Sequence, residues 1–136
     1  MSFNKQVLEL NPAAETECIV SALRQQVSQA LRRYGAVVGL SGGVDSSTVV
    51  ALCVRAFGPE RVVALIMPDQ DSDPESELLA RQVVERFQVK TVIKEDITSA
   101  LAGFGCYARR DEAIRQIFPF RFPRRQLILS QNDDKL

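Results

Sequence analysis

The chain has 136 residues, 46% apolar and 25% charged, the proportions of a globular protein with a single core of ordinary size. Its 17 Lys and Arg balance 17 Asp and Glu, so it lacks the cationic surplus needed for general binding to nucleic acid or an anionic membrane. Histidine is absent, which excludes Cys–His and Ser–His nucleophilic machinery and histidine-based zinc sites, and three scattered cysteines cannot supply a four-thiolate one.

Residues 1–10 read as a lead-in. Asn11-Pro12 then marks a helix start, because Asn caps well and Pro suits a first turn whose N–H has no partner. Ile19, Leu23, Val27, Ala30/Leu31 and Tyr34 recur at three- and four-residue steps along one helix face, and Gly35 is expected to end the helix in the left-handed conformation. Ala36 to Leu40 is short, apolar and β-branched, and reads as a buried strand. Asp45 or Ser46 to Phe57 reads as a helix that packs on a sheet, stopped by Gly58-Pro59. Arg61 to Met67 is a second buried strand that opens into the polar loop Pro68 to Ser72. Asp73-Pro74-Glu75 starts another helix with an acidic first turn, its core face at Leu79, Val83 and Phe87 beside Ala80 and Val84. Thr91 to Lys94 is a third strand, and Asp96-Ile97-Thr98 begins a short helix or turn. The alternation over residues 36–98 predicts an α/β fold, with a doubly wound parallel sheet and right-handed crossovers. Beyond Gly103 the pattern fades: Asp111 to Ile117 is a candidate short helix and Gln126 to Ser130 a candidate fourth strand.

The chemistry concentrates in Gly39-Leu40-Ser41-Gly42-Gly43-Val44-Asp45-Ser46-Ser47, where a strand ends and a helix begins. The first N–H groups of that helix point into the loop and its dipole favours an anion. Gly42 and Gly43 allow the backbone to approach a phosphate, and Ser41, Ser46 and Ser47 add hydroxyl donors. Asp45 would repel a polyphosphate unless a cation such as Mg²⁺ lies between them. The plain alternative is a glycine turn with Ser or Asp capping the next helix. The segment is neither a Walker A loop, whose lysine is missing, nor a GxGxxG fingerprint.

Ser41-Gly42-Gly43-Val44-Asp45-Ser46-Ser47 resembles the pyrophosphate loop of the N-type ATP pyrophosphatases. Ala64 to Pro68, followed by Asp71-Ser72-Asp73-Pro74-Glu75-Ser76 and later by Asp96-Ile97-Thr98, is similar to the NAD synthetase branch of that superfamily. The resemblance covers roughly residues 15–117. It implies a Rossmann-like fold of the adenine nucleotide alpha hydrolase type, Mg·ATP as substrate, and adenylation of deamido-NAD with release of pyrophosphate. Amidation by ammonia then follows, in a cytoplasmic homodimer. It places ATP at Gly39, Leu40, Ser41, Gly42, Gly43, Val44, Asp45, Ser46 and Ser47, the adenine near Met67, and Mg²⁺ on Asp45. A protein nucleophile is not required, since a departing polyanion calls for amides, hydroxyls and a cation.

Domains of this branch are about twice this length, and Phe118 to Leu136 does not read as their continuation. The expected organisation is therefore a lead-in at 1–10, an ATP-binding domain at 11–105 and a basic tail at 106–136, as in a fragment or truncated member. Residues 104–136 hold seven Lys and Arg against four Asp and Glu. Arg109, Arg110, Arg115, Arg121, Arg124 and Arg125 read as a solvated face or tail rather than as phosphate contacts. The alternatives are an inactive nucleotide-binding fragment, or another ligase of the superfamily such as a tRNA-modifying one. Cys18 and Cys53 fall on apolar helix faces and are expected in the core. The odd cysteine count fits a reduced compartment. No apolar run reaches the roughly 18–20 residues that span a bilayer, and the N-terminus shows no signal-peptide pattern, so the chain is expected to be soluble.

Overall fold

Helix α1 (Pro12–Leu23) starts where the Asn-Pro pair predicts: the Ala14 N–H donates to Asn11 Oδ1 at 3.2 Å and Pro12 sits in the first turn. In the computed structural model, which describes residues 9–117, strand β1 (Ala36–Gly39), helix α2 (Val44–Phe57), strand β2 (Val62–Ile66), helix α3 (Pro74–Arg86) and strand β3 (Thr91–Lys94) follow. The described residues fall into two compact units that divide between Ile97 and Thr98. Asp73 caps α3, its Oδ1 accepting from the Glu75 N–H at 2.9 Å, and Gly58 ends α2 with φ +88°.

The three strands are parallel in the order β1-β2-β3, with Val38 level with Ala64 and Ala64 level with Val92. Both crossovers step in the same direction across the sheet, and for connections of the usual right hand that puts both helices on one face. That face holds the core: Val38, Val62, Ala64 and Ile66 are buried against Val50 and Cys53 of α2 and Ala80 of α3. The opposite face carries Val37, 69% exposed, and Ile93, 47% exposed. The expectation that Ala36 to Leu40 is a buried strand therefore holds for the helix-covered face, at Val38 and Leu40, and not for Val37. All four residues of β3 are exposed, as befits an edge.

Helix α1 departs from its predicted face. Its buried residue is Val20, with Ile19, Leu23 and Val27 half-buried, whereas Leu31 is 64% and Tyr34 80% exposed. The helix closes with a π-helical segment over Arg24–Ala30, so Leu31 and Tyr34 lie past its last turn and cannot continue the stripe. Cys18, expected in the core, is exposed; two positions from Val20, it lies on the opposite side of the helix. Cys53 is buried, and burial pushes its thiol pKa up. The left-handed residue that ends the helix is Arg32, φ +52°, and not Gly35. Gly35 is needed for a different reason: a Cβ there would lie 1.8 Å from the Arg61 carbonyl oxygen, where the chain crosses the start of β2.

The second unit holds α4 (Thr98–Gly103) and α5 (Cys106–Ile117), joined at Gly105 with φ +71°. Helix α5 thus begins five residues before the stretch predicted from Asp111. Arg110 pairs with Asp111 and Arg115 with Glu112, each at 3.1 Å, so these two arginines meet carboxylates of their own helix. The candidate strand Gln126 to Ser130 and Arg121, Arg124 and Arg125 lie outside the described residues. Among the described residues no helix is long and apolar enough to cross a membrane.

Candidate nucleotide-binding site

The ladder between β1 and β2 extends one residue past β1, through the Leu40 N–H to the Leu65 carbonyl at 2.9 Å. The chain then turns through Ser41, Gly42 and Gly43 into α2. Gly42 adopts φ +82°, and a Cβ there would fall 2.5 Å from Leu79 Cβ, 2.8 Å from the Ala80 nitrogen and 2.9 Å from the Ser76 carbonyl oxygen. Both the backbone conformation and the seat of the loop on α3 require glycine at this position. Gly43 is the residue before α2, with φ −69°, and a Cβ there would meet only Ser41 Oγ, at 3.5 Å.

The hydroxyls of the motif brace the loop from within. Ser47 Oγ donates to the Gly43 carbonyl at 2.7 Å and Ser46 Oγ to the same oxygen at 3.1 Å. Ser46 Oγ also accepts from the Ser41 N–H at 3.3 Å and lies 3.2 Å from Ser41 Oγ. The Gly43 N–H reaches Ser41 Oγ at 3.4 Å. No side chain caps α2, so the arrangement is not the glycine turn with a Ser or Asp cap. Its first-turn N–H groups face the loop with the positive end of the helix dipole behind them. Such an end receives anions.

Beside the loop, at the carboxyl ends of β1 and β2, lies a cavity of about 300 Å³. Gly39, Leu40, Ser41 and Met67 of the predicted residues line it, while Gly42, Gly43, Val44, Asp45, Ser46 and Ser47 form the adjoining loop and helix start. In open α/β sheets this end of the strands is where ligands bind. Met67 is 44% exposed, and its Cε lies 3.6 Å from where a Gly39 Cβ would stand, an ordinary contact distance that places the methionine beside the end of β1. The far wall is polar and includes Asp69, Ser72 and Glu77. Ser72 closes a turn there, its Oγ donating to Asp69 Oδ1 at 2.6 Å and accepting from the Asp69 N–H at 2.9 Å.

Sequence reading did not single out Glu77. Its Oε1 accepts from Arg81 at 2.8 Å and its Oε2 from Lys94 at 2.7 Å. Hydrogen bonding by Lys94, and then by Arg81, holds the carboxyl pKa below its ordinary value. The Arg81 contact is an i,i+4 pair visible in the sequence. Lys94 stands 17 residues away, and only the packing of β3 beside β2 brings it near.

No group of three or more Asp, Glu or Cys among the described residues is placed to hold a metal ion. Asp45 is exposed in the first turn of α2, next to the loop. One carboxylate suits Mg²⁺, which keeps most of its waters and binds through one or two carboxylates plus substrate phosphates. A single carboxylate of this kind fits a cation carried in with a polyphosphate.

A family model described as NAD synthase matches residues 15–117. The chain belongs to that family. It is 48% identical over 118 residues to the NH3-dependent NAD+ synthetase of Rhizobium rhizogenes, covering 87% of this chain and 35% of that protein. Two solved structures are also similar. The NH3-dependent NAD synthetase of Campylobacter jejuni, in complex with nitrate, is 32% identical with a TM-score of 0.62, over 70% of this chain and 40% of that one. The glutamine-dependent NAD+ synthetase of Acinetobacter baumannii, in complex with ADP, is 26% identical with a TM-score of 0.64, over 89% of this chain and 23% of that one. This NAD synthase family member spans about a third of the length of such relatives.

Proposed function

We propose that residues 11–105 form an ATP-binding domain that serves an NAD synthetase reaction. The observation that carries this reading is the uncapped start of α2, approached through Gly42 at φ +82° and opening beside the cavity at the strand ends. Backbone N–H groups of Gly42 and of Val44 to Ser46 would receive the β- and γ-phosphates, with Ser41 and Ser46 turning their hydroxyls to the same anion, while the Ser47 N–H is held by the Gly43 carbonyl at 3.0 Å. Gly39, Leu40 and Met67 would lie along the nucleoside, Met67 against the adenine. Asp45 would ligate the Mg²⁺ that accompanies ATP, whose charge screens the polyphosphate from the carboxylate.

In the reaction, a carboxylate oxygen of deamido-NAD forms a bond to the α-phosphorus and the bond to pyrophosphate breaks. Ammonia then attacks the acyl carbon, AMP leaves and the amide of NAD results. The loop's part is to stabilise charge on the departing pyrophosphate with preorganised donors. A homodimer that takes nitrogen as ammonia belongs to the same proposal.

A second reading is a chain that binds nucleotide without turning it over. Pyrophosphate release from Mg·ATP with deamido-NAD and ammonium, measured beside ATP binding by calorimetry, separates the two. Turnover that Asp45→Ala abolishes supports the ligase. Binding without turnover supports the second reading, and absence of ATP binding overturns both.

A further inference from the structure

Gly42 rests on α3 at one definite place. The atoms that a Cβ on Gly42 would strike include the Ser76 carbonyl oxygen and the Ala80 nitrogen, which are four residues apart in sequence and so neighbours one helical turn apart. The next residue, Glu77, leaves α3 through its Oε2 to reach Lys94 at the end of β3. A path of contacts thus runs from β3 through the first turns of α3 to the glycine loop. We propose that Lys94 and Glu77 are positioning residues whose ion pair seats α3 beneath Gly42 and so holds the loop in its anion-receiving conformation. This rests on the reading of the loop as the ATP phosphate site, which it deepens by naming what sets the loop's shape.

Three features support the assignment. The apolar contacts of α3 lie from its middle onward, at buried Ala80 and half-buried Val83 and Val84, whereas Leu79, the loop-facing neighbour, is 39% exposed. This placement leaves a polar tether room to decide where the first turns of α3 lie. The pair is also specific in geometry, with Glu77 dividing its two oxygens between Arg81 on its own helix and Lys94 on the strand. Finally, Gly42 leaves almost no clearance above α3, so a small displacement of the helix must be passed to the loop. A misplacement near 1 Å is enough to change function strongly.

The test is amide hydrogen exchange on the ligand-free full chain, followed in the peptide covering residues 41–47 and in the middle of α2. In Lys94→Met and Glu77→Gln, exchange in the loop is expected to quicken about three- to tenfold, while Val50 to Val54 keep their protection. Lys94→Arg restores the wild-type rate, and the double variant loosens the loop no more than either single one. Arg81→Met, which removes only the contact within α3, leaves the loop unchanged. An unaltered loop in Lys94→Met overturns the proposal. So does an equal acceleration in Arg81→Met, or one shared by α2, because either would mark general loss of helix stability. ATP affinity measured in parallel should fall by a similar factor in Lys94→Met. If the wild-type chain binds no ATP the phosphate reading fails, while the loop exchange still decides whether the pair positions the loop.

Discussion

Gly42 and Gly43 are adjacent, identical in type and part of one motif, yet they do different work. Gly42 combines a positive φ with backbone and side-chain atoms of α3 under 3 Å from any added Cβ. Gly42→Ala must therefore strain the backbone and lift the loop off the helix, at a cost of about 2–3 kcal/mol. Gly43 has an ordinary φ, and a Cβ there would make only an ordinary contact with Ser41 Oγ, so its replacement loses little beyond the preference of a helix N-cap for Gly over Ala. Gly43→Ala is expected to cost about 1 kcal/mol or less. Urea unfolding of the two variants measures the difference, and equal losses would show that the loop does not rest on α3 as described. Gly35 illustrates how a residue can be identified correctly for the wrong reason. Sequence alone suggested a left-handed helix end there, but Arg32 takes that conformation and Gly35 is required by the Arg61 carbonyl. A chain crossing is a tertiary fact and leaves no local signal.

At the scale of elements, strand and helix types were legible because their causes are local. Asn11-Pro12 and Asp73-Pro74 start helices through their own side-chain caps, and Gly58 ends one. The π-helical turn at Arg24–Ala30 was not legible, since none of its residues is a helix breaker. Arg24 opens this segment and ties it to α2. From this turn Arg24 Nε donates to the Ala56 carbonyl at 2.9 Å and Nη2 to the Arg55 carbonyl at 2.8 Å. Those are last-turn carbonyls of α2, which no intrahelical N–H can satisfy. A cation at that end also suits the helix dipole. Arg24→Met is expected to lower stability by about 1–2 kcal/mol, read as a lower urea midpoint with an unchanged slope. Arg24→Lys should recover less than half of it, because an ammonium group cannot span two carbonyls as the planar guanidinium does. Full recovery by lysine would show that charge alone, not the fork, secures α2. Lys94 and Glu77 follow the same logic as Arg24: the sequence shows two ordinary charges, and only strand order makes them partners.

At the scale of the molecule, the decisive feature is that α2 and α3 pack on the same face of the sheet. The composition of β1, Ala36-Val37-Val38-Gly39, is apolar at every position, as in strands buried on both faces. The structure gives its two valines opposite circumstances: Val38 is 7% exposed within the core, and Val37 is 69% exposed. They share a strand, a residue type and the same loss of β-propensity on truncation, so the difference between their alanine variants isolates burial on the two faces. Burial of a valine contributes about 1.5–3 kcal/mol, and part of that is lost with its methyl groups. Val38→Ala should accordingly destabilise the chain by about 1–2 kcal/mol more than Val37→Ala, whose own effect should stay within about 0.5 kcal/mol. The measurement is the pair of urea midpoints at a common slope, because a changed slope would mean a different surface exposed on unfolding. Equal losses would require Val37 to be covered in solution, and the one-sided sheet would then describe the isolated fold but not the protein in use.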